Sequence, residues 1–226
     1  MYKSTQEIKT SGYVVGRTNY GEADRILRII TPVGKVSAIA KGVRKPKSKL
    51  AGGIELLTLS DLVIHRGRSE LGIVTSAKMR KYHDGILASY KKMELAGEMM
   101  KKIDRAAENT ETGEFFRIMD ECFDALDVVS NTEIVEAWFE LNLLKAMGEE
   151  INLYRDNNGE RLEIEKRYEW DAMEKSFVLK EKGRYGADEI KILRLMVSSP
   201  LRVVMRVKGI ETKMEEIMWI VKVMVK

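Results

Sequence analysis

Arg25-Ile26-Leu27-Arg28-Ile29-Ile30-Thr31-Pro32-Val33-Gly34-Lys35-Val36-Ser37-Ala38-Ile39-Ala40-Lys41 reads as two β segments on either side of a Pro-Val-Gly turn. Both segments are rich in β-branched residues, which fit a pleated surface, and the turn places proline and glycine where the chain must change direction. Similar segments lie at residues 12–18, 54–66 and 71–77. They are separated by Asn19-Tyr20-Gly21-Glu22, a Lys/Arg-rich stretch around 42–53, and Gly67-Arg68-Ser69-Glu70. Five short strands left as an open sheet would expose two edges, so the pattern predicts a small closed barrel.

From residue 84 onward the apolar period lengthens toward that of a helix. Ile86, Tyr90, Met93, Ala96 and Met100 form one stripe, and Phe115, Met119, Cys122, Leu126 and Val129 form a second. A third helix is expected from Thr132 as N-cap, with Ile134, Trp138, Leu141 and Leu144 inward and Gly148 at its end. Helicity should return over 187–198, stopped by Pro200, and again from Thr212, where Glu215 completes a capping-box pattern. The fold class is α+β: a five-stranded barrel over residues 1–80, then an α-helical domain over 81–226 with a small irregular insertion at 150–186.

Composition excludes several classes. The 226 residues contain one cysteine, Cys122, so neither an intramolecular disulfide nor a zinc site with two thiolates can form. No apolar run approaches the ~18 to 20 residues that span a bilayer, and the first residues lack a signal-peptide stretch. The expected compartment is the reducing cytoplasm, with no membrane partner. Enzyme signatures are missing too. Around Gly34-Lys35, Ile29 stands where a Walker loop needs glycine and Val36 where it needs Ser/Thr. Neither G-x-S-x-G nor H-E-x-x-H occurs, and His65 and His83 lack metal-pair spacing. A non-enzymatic protein without cofactor is expected.

Charge is polarised along the chain. Residues 1–80 hold 15 Lys/Arg against 6 Asp/Glu, a net +9, while the remainder carries −5 of the overall +4. The stretch Lys41-Gly42-Val43-Arg44-Lys45-Pro46-Lys47-Ser48-Lys49-Leu50 has cations at 41, 44, 45, 47 and 49 and no anion. Such a loop can follow a phosphate backbone, because each cation that neutralises a phosphate releases condensed counterions. Arg17, Arg25, Arg28, Lys35, Arg66 and Arg68, from neighbouring segments, complete the candidate phosphate contacts. Only Tyr2, Tyr13 and Tyr20 are aromatic in this third, so backbone contact should dominate over base stacking. Tyr20, beside Gly21, is the stacking candidate. Tyr13 reads equally as barrel core. Two carboxylates near the turn, Glu22 and Asp24, read as backbone caps or arginine partners.

Several of these features resemble, in order and spacing, the N-terminal domain of the bacterial recombination mediator RecO family. They are Gly12-Tyr13-Val14-Val15, Tyr20-Gly21-Glu22 with Asp24-Arg25-Ile26, Thr31 with Gly34-Lys35, the run from Ala40 to Leu50, and Arg66-Gly67. The resemblance implies an OB-fold barrel followed by a helical domain. It also implies binding of single- and double-stranded DNA, annealing of complementary strands, and action with RecR to load RecA on strands covered by single-stranded-DNA-binding protein (SSB), in the bacterial cytoplasm at the nucleoid. Many family members carry a four-cysteine zinc module in the region matching 150–186, which has no cysteine here, so zinc is not carried over. The resemblance further implies a site for the SSB C-terminal tail in the helical domain. Phe115, Phe116 and Met119 beside Arg117, or late methionines beside Arg194, Arg202 and Arg206, are its candidates. Two other readings remain open at this level: an OB-fold protein acting on RNA, and a docking adaptor whose basic face meets acidic proteins.

Overall fold

A computed structural model of the chain describes residues 6–67, 71–149 and 151–225, and divides into two compact units, Met1–Asp127 and Val128–Lys226. In the first unit, β1 (Gln6–Tyr20), β2 (Asp24–Thr31), β3 (Gly34–Ala40), β4 (Thr58–Arg66) and β5 (Gly72–Tyr82) close into a barrel of order β1-β2-β3-β5-β4. β1 serves two neighbours. Its first half pairs with β4 from Gln6↔Arg66 to Tyr13↔Leu59, and its second half pairs with β2. A bulge between Val14 and Gly16 bends the strand between these duties. This closed five-stranded arrangement is the OB-fold, in agreement with the strand pattern and the resemblance.

Alternation along the strands sorts the side chains. Val14, Leu27, Ile29, Val36, Ala38, Ile64 and Val74 fill the interior, so their neighbours Tyr13, Arg28, Ile30 and Lys35 point outward. The structure corrects the sequence reading at residues 54–57. Ala51–Ile54 is a 3-10 turn that seats Ile54 in the core, Leu57 takes a positive φ of 60°, and β4 begins only at Thr58. β5 runs on to Tyr82, beyond the expected end at 77.

The first unit continues past the barrel through α1 (Asp84–Leu87), α2 (Tyr90–Ala106) and α3 (Glu114–Val128). Three aspartates spaced along one face of α3 explain why. Tyr13 Oη donates to Asp120 Oδ1 at 2.8 Å, Lys81 Nζ lies 2.7 Å from Asp124 Oδ1, and His83 Nδ1 lies 3.3 Å from Asp127 Oδ2. Positions 120, 124 and 127 share a helix face, so one helix meets the barrel three times. Phe123 adds edge-on contacts to the Tyr13 and His83 rings at 5.3 and 5.6 Å.

The second unit is built around α4 (Glu133–Ala146), which buries Val135, Ala137, Trp138, Phe139 and Leu141. It continues with the hairpin β6 (Tyr168–Asp171) and β7 (Ser176–Leu179), then α5 (Ala187–Ser198), α6 (Leu201–Val204) and α7 (Met214–Met224). α4 packs against α5 and α7. The buried Asn142 amide donates to the carbonyls of Trp138 and Met196 at 2.8 and 3.0 Å, tying α4 to α5. Gly148 ends α4 with φ +82°, and α5 stops before Pro200, as expected. Two expected caps differ. Thr132 occupies the N-cap position, but its hydroxyl is buried without a partner, and Asn131 Oδ1 instead accepts from Glu133 N–H at 3.0 Å. Thr212 lies in a 3-10 turn, Ile210–Lys213, and donates back to the Gly209 carbonyl at 2.8 Å, so α7 starts at Met214 without its help. No helix among the described residues is long and apolar enough to cross a membrane.

The Tyr13–His83 contact carries a pH dependence. Tyr13 gives its only hydroxyl proton to Asp120, so His83 Nε2 donates to the Tyr13 oxygen at 3.1 Å, and a neutral imidazole has no second proton for Asp127. Burial of the fully enclosed ring outweighs the pull of Asp127 and holds the His83 pKa below its ordinary value of 6.5. The unfolded chain therefore binds the extra proton first, and this residue's share of stability is lost as pH falls below about 6.5. Thermal melts at pH 7.5 and 5.5 should show a smaller difference in His83→Gln than in the native protein. Tyr13→Phe should cost about 1–3 kcal/mol at neutral pH by leaving buried partners unmatched.

Candidate nucleic-acid interface

The basic stretch at 41–49 is a chain of turns pinned to the barrel. Gly42 has a φ of +62°, a left-handed conformation that favours glycine, and its N–H donates to Asp24 Oδ1 at 2.7 Å. Arg44 N–H donates to the Ala23 carbonyl at 2.9 Å and its guanidinium to the Gly21 carbonyl at 3.3 Å, so the loop lies beside the β1–β2 turn. Lys45 and Ser48 close successive turns through bonds of 3.1 and 3.0 Å to the carbonyls of Gly42 and Lys45. Val43 is buried in the barrel core and Leu50 packs against it. These apolar anchors leave the charged residues between them outside. Lys41, Arg44, Lys45, Lys47 and Lys49 are exposed, and none of the five forms an ion pair among the described residues. Tyr20, 56% exposed, stands at the end of β1 next to the same turn.

The strand registers place the end of β4 and the start of β5 at this end as well, because Arg25 pairs with Ala40, Ile39 with Ile73, and Ile73 with His65. Arg25 is half-buried and donates to Asn19 Oδ1 at 3.3 Å. Arg66 is also half-buried, and its Nε is enclosed without a partner. Arg68 lies outside the described residues.

Three sequence candidates are engaged elsewhere. Arg17 is ion-paired with Glu55. Arg28 Nε reaches both carboxylate oxygens of Asp104 in α2, at 2.8 and 3.1 Å. Lys35 Nζ lies 2.8 Å from Asp104 Oδ1, 2.8 Å from its carbonyl and 3.7 Å from Glu108. The sequence reading missed Asp104, although it stands next to Ile103 and four residues from Met100 on the buried side of α2, where an acid needs a cation. Tyr13 is wholly buried, which settles it as a core residue and not a stacking platform.

The two alternative sets of tail-pocket candidates fall in different units, each described by itself. Phe115 and Met119 are buried inside the first unit, so they have no surface for a peptide. Phe116 is half-buried with its ring 5.8 Å from Tyr13, and Arg117 bridges Glu114 and Glu121. In the second unit, Arg194 donates to the Leu153 carbonyl at 2.8 Å and lies over the Tyr154 ring, while Arg202 and Arg206 are exposed.

The insertion does not fit a zinc ion. Phe177 is its centre, with the Tyr168, Trp170 and Tyr185 rings edge-on at 6.3, 5.2 and 5.7 Å. No group of three or more His, Cys, Asp or Glu with metal-holding geometry occurs among the described residues. An apolar cluster of this size can order a hairpin by burial alone. Phe177→Ala should therefore cost about 3–5 kcal/mol locally, read as lost hydrogen-exchange protection over 154–186. A metal chelator should leave that protection unchanged.

Comparison with known proteins bears on this geometry. Residues 5–83 match the family described as recombination protein O N terminal. A DNA repair protein RecO from Heliobacterium modesticaldum is 34% identical over 167 residues, covering 73% of this chain and 60% of that protein. Those of Acetivibrio thermocellus and Roseiflexus sp. are 34% and 32% identical over 148 and 147 residues, covering 57% and 52% of their own lengths. The chain thus spans between half and three-fifths of the length of these curated relatives.

Proposed function

Because residues 5–83 are a recombination protein O N-terminal domain and the chain is a relative of DNA repair protein RecO, we propose that it acts in DNA repair and recombination as a non-enzymatic DNA-binding protein. The observation that carries this reading is the set of five cations at 41–49 with no ion pair among the described residues, held at the end of an OB-fold barrel beside the β1–β2 turn. Their geometry suits phosphates more than bases. The cations project from a backbone fixed by its own hydrogen bonds, and one exposed aromatic, Tyr20, stands beside them. Such a surface grips single and double strands alike and reads little sequence. Annealing follows from the same physics, since it needs neutralisation of two polyanions and release of the product. Cooperation with RecR, contact with the SSB tail and loading of RecA belong to the same proposal and rest on the family likeness. Among the tail-site candidates of the second unit, Arg202 and Arg206 are the exposed cations that could meet a tail carboxylate.

Contact with about five phosphates of a single strand should give a slope of roughly −3 to −4 for log K against log salt concentration. Replacing Lys45, Lys47 and Lys49 together by Glu should weaken binding equally for unrelated sequences and flatten the slope. Unchanged affinity in a folded triple variant would remove the loop from the site. Competition among single-stranded DNA, duplex and RNA separates this reading from an RNA-binding one.

Annealing of complementary oligonucleotides should proceed without nucleotide and at the same rate in the presence of a chelator. A strict ATP requirement in the purified protein would refute the non-enzymatic reading.

A further inference from the structure

The outer face of β2 and β3 is one of the surfaces on which an OB-fold can hold a nucleic acid strand, together with the loops at the barrel end. In this chain the two are treated oppositely. The loop end is basic and open, whereas the charges of the outer face are paired with α2. Ile30 points away from the barrel interior yet is 0% exposed, and its register partner Lys35 has a side chain only 14% exposed. Arg28, diagonal to them, lies across β1. A Cβ at its register partner Gly16 would sit 2.1 Å from the Arg28 guanidinium, so the missing side chain there gives the arginine its path to α2.

Both cations end on the same carboxylate. Asp104 receives the Arg28 Nε on its two oxygens and the Lys35 ammonium on one of them, with Glu108 as a second acid near the lysine. The guanidinium and the ammonium are the ligands a phosphate would find on the open face, and the two anionic oxygens of Asp104 take the place of its own. We propose that Asp104 occupies the place of a backbone phosphate on the β2–β3 face, excludes the polynucleotide from that face, and confines it to the loop end formed by 41–49 and the β1–β2 turn. The inference rests on the DNA-binding reading above and adds which part of the barrel the strand follows and what directs it there.

An anchor that merely fastens α2 would be indifferent to DNA, so the test reads the number of phosphates engaged. Salt titrations with a single-stranded oligonucleotide compare the native protein, Asp104→Asn, Arg28→Gln with Lys35→Gln, and the combination of all three substitutions, each checked by its melting curve. Asp104→Asn should bind more tightly at low salt and steepen the slope by about 1.4, the contribution of two additional single-strand phosphate contacts. Adding Arg28→Gln and Lys35→Gln to it should restore the native slope. In the native background these two substitutions should leave affinity and slope unchanged. A native slope in folded Asp104→Asn, or a flattened slope in the Arg28→Gln, Lys35→Gln protein, overturns the proposal. If Asp104→Asn does not fold, Arg28→Gln alone still decides, because its side chain is 38% exposed and its loss should not weaken DNA binding. No salt-dependent binding by the native protein would instead refute the DNA-binding reading itself.

Discussion

A single carboxylate held between a guanidinium and an ammonium, Asp104 between Arg28 and Lys35, divides the cations of this barrel into two populations. Arg28 of β2 and Lys35 of β3 are neutralised against α2. The cations of the loop at 41–49 are not, because nothing acidic among the described residues reaches them. Formal charge alone does not make this division, since Lys35 and Lys45 count equally toward the net +9 of residues 1–80. Partnership and burial separate them.

The helices that supply the acids belong with the barrel and not with the second unit. α3 meets the barrel through Asp120, Asp124 and Asp127, and α2 meets it through Asp104, so the first compact unit ends at Asp127 although the last strand ends at Tyr82. The cost of enclosing Asp104 and Asp120 is offset because barrel donors meet them, Arg28 and Lys35 for the first and Tyr13 for the second. Cutting the chain after the last strand would leave Arg28, Lys35 and Tyr13 facing water together with the apolar surface around Ile30. The smallest piece with its polar groups satisfied therefore includes α3.

The sequence made the strands legible through alternation, and it made the basic loop legible because Val43 and Leu50 bracket it as anchors. The 3-10 turn at Ala51–Ile54 was not legible, since an apolar residue in a short run looks the same in a strand as in a turn packed on the core. The ends of β1 and β5 were missed for a related reason: polar residues there leave no alternation to read. The cation pairing was least accessible of all. Asp104 stands 76 residues from Arg28 and 69 from Lys35, and only the fold brings them together. Two signals were present in the chain, the carboxylate on the apolar side of α2 and the stripe of aspartates at 120, 124 and 127. Each marks a helix that requires a cationic or hydroxyl-bearing partner before the partner is known.

Energetics favour the same division of labour. A phosphate competing for Lys35 must first separate an ion pair whose two side chains are 14% and 15% exposed, and breaking a buried pair costs up to about 3–5 kcal/mol. A phosphate approaching Lys45 or Lys47 breaks no protein contact among the described residues. It orders one flexible side chain, at roughly 1.5–2 kcal/mol, and gains from counterion release. The difference is large enough to route a polyanion, which is what the proposed function requires of the loop, while the paired face holds α2 in place. The fold thus uses some of its cations to assemble itself and leaves five others, at 41–49, without an ion pair among the described residues, and these are the proposed interface.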